Sequence, residues 1–180
     1  MTLWMQKILL PVDGSHGAQR AVEHVVATNE EQHPEIHLLN VQSPMRAKWL
    51  TPPPVAEMMV RARRNAGEEV LRPVRALLAA QGIDCTAQVR LGDPAETIAR
   101  YAAERGCTSI VMGTRGMNAI GTLVLGSVAT KVVNLTDIPV TLIKQPPETN
   151  IAAAPSSSAR EQYTARRQRR IETQDVIPGP

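Results

Sequence analysis

Along residues 1–144, short continuous apolar runs alternate with longer stretches in which apolar side chains recur every three or four positions. Lys7-Ile-Leu-Leu-Pro-Val12 is aliphatic through its interior, as a strand covered on both faces must be. Ala18, Ala21, Val22, Val25 and Val26 then mark one face of a helix. Ile36-His-Leu-Leu-Asn-Val41 predicts a second strand, and the Pro-rich stretch Ser43 to Pro54 predicts an irregular connection, because proline lacks the backbone donor. From Val55 onward Met59, Ala62, Ala66, Val70, Val74 and Leu77 keep the helical period. Gly67 and Pro73 interrupt this second helix, Pro73 is expected to bend it, and Gly82 to stop it. Cys85 to Leu91 is a third strand. Asp93, Pro94 and Glu96 suit the cap, the first position and the capping-box acid of a third helix that Gly106 ends. Thr108 to Met112 is a fourth strand, Ser127 to Leu135 a fourth helix and Pro139 to Lys144 a fifth strand. The chain has no internal repeat. Strictly alternating strands and helices predict an α/β domain: a mostly parallel sheet with helices on both faces.

The pattern stops beyond Lys144. The segment 146–160, PPETNIAAAPSSSAR, is rich in Pro, Ala and Ser, and the remainder is polar and Arg-rich. Such a composition buries too little apolar surface to offset the entropy of ordering, so residues 146–180 are expected to form a flexible, Arg-containing C-terminal tail behind a domain at 1–145. A short helix around 158–172 has only weak local support.

Composition narrows the class. With 180 residues, 43% of them hydrophobic and no Phe, the core must be aliphatic. Cys85 and Cys107 cannot make a disulfide framework. The apolar run Ile8 to Val12 is too short for a signal-peptide core, and no run approaches the roughly 20 residues that span a bilayer. A cytoplasmic protein without membrane partners is the expectation. Of the net charge of +3, the body carries +2 and the tail +1, the latter concentrated in ARRQRR at 165–170. An excess this small supplies no general field for nucleic acid. The tail cluster is an interaction segment at best.

Candidate chemistry lies where the strands end. In an open parallel sheet, ligands bind beyond the carboxyl ends of the strands, near the reversal of strand order. Asp13 and Gly14 follow the first strand, Val41 closes the second, and the fourth runs into Gly113-Thr-Arg-Gly116, with Gly126-Ser127 opening the next helix. Gly113 and Gly116 let backbone amides approach a phosphate; Gly126-Ser127 puts unpaired amides at a helix N-terminus, where the dipole favours an anion. Arg115 adds a cation, and Asp13 suits ribose hydroxyls or a metal ion. Equally, the glycines serve tight turns and Ser127 caps its helix. The spacing is neither GxxxxGK[ST] nor GxGxxG, so those mechanisms do not transfer.

Gly113-x2-Gly116-x9-Gly126-Ser127, together with ILLPVDGS at 8–15 and IPVTLIK at 138–144, resembles the universal stress protein family over about residues 5–145. The resemblance implies a Rossmann-like five-stranded parallel sheet of order 3-2-1-4-5 and a homodimer paired through the last strand, Pro139–Lys144. Its Gly-x2-Gly-x9-Gly-Ser branch implies ATP, with or without Mg2+. On matching positions Pro11, Val12, Asp13 and Val41 would surround adenosine, and Met112, Gly113, Arg115, Gly116, Gly126, Ser127 and Val128 would line the phosphates. The stretch between Gly116 and Gly126 holds no Lys or Arg, where many relatives carry a basic residue.

The remaining chemistry-bearing residues read blandly. His16, His24, His33 and His37 have no partners at metal-binding spacing, Cys85 and Cys107 fit buried inert thiols, and Arg61-x-Arg63-Arg64 fits the solvated face of a long helix. No nucleophile–base–acid trio assembles, so ATP hydrolysis is expected to be slow and incidental, and the protein no dedicated enzyme. The expectation is a nucleotide-responsive homodimeric regulator that engages unknown protein partners. The rivals are a dimeric interaction module that uses no nucleotide and a phosphoryl- or nucleotidyl-transfer enzyme.

Overall fold

The computed structural model describes residues 6–28, 34–43, 52–114, 116 and 125–144. Five strands and four helices alternate along them: β1 (Lys7–Pro11), α1 (His16–Thr28), β2 (Glu35–Gln42), α2 (Pro53–Ala80), β3 (Cys85–Leu91), α3 (Pro94–Arg105), β4 (Ser109–Gly113), α4 (Ser127–Leu135) and β5 (Val140–Ile143). The strands form one sheet of order β3-β2-β1-β4-β5, every pair parallel. The expected α/β architecture and its strand order are both present. The C-terminal tail, Arg115, His33 and the aromatics Trp4, Trp49 and Tyr163 lie outside the described residues.

Two aliphatic cores sandwich the sheet. On one face Ile8, Leu10, Ile36, Leu38 and Val111 pack beneath Ala21, Val22 and Val25 of α1 and Leu71 and Leu78 of α2. On the other, Leu9, Leu39, Ile110 and Met112 meet Ile98, Tyr101 and Ala102 of α3 and Ala129 and Val132 of α4. Side chains of consecutive strand residues point to opposite faces, so an aliphatic run such as Ile8-Leu9-Leu10 feeds both cores at once.

The helix ends mostly follow local chemistry. Asp93 caps α3, its carboxylate accepting hydrogen bonds from the Ala95 and Glu96 amides at 3.1 and 3.3 Å. Gly106 closes that helix in the left-handed conformation at φ 62°. Two expectations about α2 change. The helix starts inside the Pro-rich segment, with Pro53 and Pro54 in its first turn, where the missing N–H has no intrahelical partner to lose. It also continues through Gly67 and Pro73 instead of being interrupted there. Packing of Leu71 and Leu78 into the sheet outweighs the one hydrogen bond that proline removes.

His37 is the third residue of β2, within the predicted second strand, and is 3% exposed. Its Nδ1 lies 3.0 Å from the Tyr101 hydroxyl and its Nε2 2.8 Å from Glu35 Oε1, and Lys7 Nζ approaches the other Glu35 oxygen at 3.1 Å. The hydrogen bond with His37, and then the one with Lys7, hold the Glu35 carboxyl below its ordinary value. Burial pushes the thiols of half-buried Cys85 and buried Cys107 up, which keeps both in the unreactive protonated form.

Candidate functional site

A cavity of about 470 Å³ opens at the carboxyl edge of the sheet, between the ends of β1, β2 and β4. That size suits a small-molecule ligand. It lies where strand order reverses, since β1 leads across to β2 on one side while β4 lies on the other.

The loop after β1 forms one wall. Val12 donates its amide to the Leu39 carbonyl at 2.9 Å, which anchors the chain before Gly14 turns it at φ 85°. Asp13 is thereby set at the opening. Its Oδ1 accepts from the amide and the hydroxyl of Ser15, at 3.0 and 2.6 Å. Among the described residues it is the only carboxylate lining the cavity.

The glycines have separate reasons. Gly113 is buried, and a Cβ there would come within 2.5–2.8 Å of the Gly17 backbone, so its first role is to let β4 and α1 touch. Gly116 is exposed, and a Cβ there would stand 2.6 Å from Asp13 Oδ2. Any larger residue at 116 would have to push the Asp13 carboxylate aside.

Gly126 is the N-cap of α4 and has no side-chain oxygen to satisfy the first amides of the helix. Its own amide donates to the Thr114 carbonyl at 2.7 Å, so the amides left without helical partners are those of Ser127, Val128 and Ala129. Ser127 is the first helical residue rather than the cap. This rules out the capping role that its type allowed, and the uncapped terminus opens on the cavity.

Ten of the eleven residues expected at the site line this cavity: Pro11, Val12 and Asp13; Val41; Met112, Gly113 and Gly116; Gly126, Ser127 and Val128. Arg115 lies outside the described residues. His16 begins α1, exposed, and does not line the cavity. The same cavity gathers residues that sequence reasoning missed. On the α3/α4 side Leu39, Pro94 and Ile98 join the expected Val41 in an apolar wall. On the α1/α2 side Asn40 and Gln42 form a polar one, with Gln42 Nε2 donating to Asn40 Oδ1 and Asn40 Nδ2 donating to the Val12 carbonyl at 2.7 Å. Arg63 of α2 completes that side. Thr114, 7% exposed, also lines the cavity, and its hydroxyl has no partner among the described residues.

Residues 5–144 match the model of the universal stress protein family. The chain belongs to this family. Among curated relatives, a universal stress protein of Thermus aquaticus is 36% identical over 137 residues, which cover 76% of this chain and 97% of that protein. Among solved structures, a Methanocaldococcus jannaschii universal stress protein aligns with a TM-score of 0.71 at 25% identity, covering 81% of this chain and all of that one. An Arabidopsis thaliana universal stress protein with AMP bound aligns at TM-score 0.56 and 21% identity, over 86% of this chain and 99% of its own. Another family member, in complex with cAMP, aligns at 0.54 and 20%, over 77% and 95%. Among the described residues no helix is long and apolar enough to cross a membrane, and no three metal-ligating side chains cluster.

Proposed function

We propose that this universal stress protein binds ATP in the cavity at the β1/β4 reversal and acts as a nucleotide-responsive regulator. The observation that carries this reading is the joint opening of an uncapped helix N-terminus and the Gly116–Asp13 contact onto one cavity. Three kinds of surface match the three parts of a nucleotide. The apolar wall of Leu39, Val41, Pro94 and Ile98 suits a purine face, the Asp13 carboxylate suits ribose hydroxyls, and the α4 amides suit phosphate oxygens. Family members that hold AMP and cAMP support an adenine nucleotide as the ligand class.

Binding rather than turnover is the proposed activity. Among the described residues the cavity presents one carboxylate, already engaged with Ser15, and no histidine, so no base is placed to activate water.

Isothermal titration tests the reading. Purified protein should bind ATP with a stoichiometry of one per chain, and Gly126→Val, which crowds the amides, should abolish the heat. Protein that binds no adenine nucleotide overturns the proposal and leaves the interaction module as the better description.

A further inference from the structure

We propose that Arg63 is the cation by which this pocket prefers a nucleotide to the bare nucleoside, a role that rests on the nucleotide reading above. Arg63 sits in α2, one helical turn before Gly67 and two before Leu71. Both of those residues are buried, so Arg63 occupies the stripe of the helix that faces the sheet. Gly67 brings the helix unusually close: a Cβ there would stand 2.7 Å from Asn40 Oδ1 and 2.5 Å from Val89. One turn further toward the carboxyl edge, the same stripe reaches the cavity mouth, which Arg63 lines half-buried.

Among the described residues its charge is unmatched. Arg61, Arg72 and Arg75 of the same helix pair with Glu57, Glu69 and Glu68. No carboxylate pairs with Arg63 among the described residues, where it is also the only cation lining the cavity. The sequence between Gly116 and Gly126 offers no Lys or Arg to share the task. A half-buried guanidinium without a counter-ion is costly to keep and gains most from an anion that enters beside it. Arg63 stands on the polar side of the cavity, with Asn40 and Gln42, while the surface suited to a base is the apolar wall under α3. The phosphates are the only anionic part of a nucleotide, so they are the group its charge would meet.

The test is titration of wild type, Arg63→Gln, Arg63→Lys and Arg64→Gln with ATP and with adenosine, each variant first checked for an unchanged melting temperature. Arg63→Gln should weaken ATP by about tenfold or more, the size of a lost charge-assisted hydrogen bond, and shift adenosine by less than about twofold. Arg63→Lys keeps the charge without the planar fork and should recover part of the loss. Arg64→Gln, exposed one position on, should match wild type. ATP affinity unchanged in Arg63→Gln, or lost equally for ATP and adenosine, overturns the role of Arg63 while nucleotide binding stands. Wild type that binds neither ligand overturns both. Should Arg63→Gln fail to fold, Arg63→Met, which keeps the apolar stem without the charge, decides: ATP affinity equal to wild type, or lost equally for ATP and adenosine, overturns the proposal, and selective weakening of ATP upholds it.

Discussion

Asp13 and Gly116 show how little separates a turn from a site. Each residue type is ordinary in a loop, yet Gly116 leaves 2.6 Å between its missing Cβ and Asp13 Oδ2. Gly116→Ala should push the carboxylate aside and lower ATP affinity about tenfold by titration, with little change in stability because the position is exposed. Gly113→Ala should do the reverse. Its Cβ meets the Gly17 backbone, which cannot swing away as a side chain can, so urea denaturation should show a loss of about 1–3 kcal/mol. The two glycines of one motif thus separate by measurement: one serves packing and the other shapes the cavity. Their sequence spacing could not distinguish them, because the atoms each must avoid belong to segments about 100 residues away.

At the scale of elements, local chemistry places the helix ends and long-range packing decides what the helices tolerate. Asp93→Ala removes the side-chain cap of α3 and should cost about 1 kcal/mol in chemical denaturation. α4 has no such cap to lose, the difference expected of a helix whose amides are kept for another partner. β1, β2 and α3 are tied together by the Lys7–Glu35–His37–Tyr101 chain. The Glu35 carboxyl is held below its ordinary value of 4.5, so the ionised form is the one the fold favours. The stability it contributes is therefore complete above that value and is lost as pH falls through the lower, folded-state value. Melting temperatures of wild type and Glu35→Gln should differ most above the ordinary value of 4.5 and converge as pH falls below it. A constant gap across that range would show that the Glu35 charge is not involved.

At the scale of the whole molecule, the sheet leaves β5 as an edge, with Thr141 exposed and Val140, Leu142 and Ile143 only half covered. These three apolar side chains do not form a single face: Val140 and Leu142 lean on the α3/α4 core, and Ile143 on the opposite one. What a second copy would find there is a strand edge whose backbone groups are unpaired on one side. We propose that two chains pair along this edge. Light scattering at micromolar concentration should return twice the chain mass, and Thr141→Lys, which places a charge on the edge, should shift it toward one. From the sequence alone, the α/β class, the nine elements and most of the cavity's glycine-bearing rim could be read. Strand burial, helix periodicity and capping are written within a few neighbouring residues, and the rim motifs lie directly at strand ends. Arg63 and Asn40 could not be read in this way, nor could the separate duties of Gly113 and Gly116. An arginine on a helical stripe looks solvated until the fold shows which end of the sheet that stripe reaches, and a glycine looks like a turn until its neighbour in space is known. Local pattern determined which elements form. Which side chains converge on the cavity was decided only when parallel strands, remote in sequence, stacked their carboxyl ends side by side.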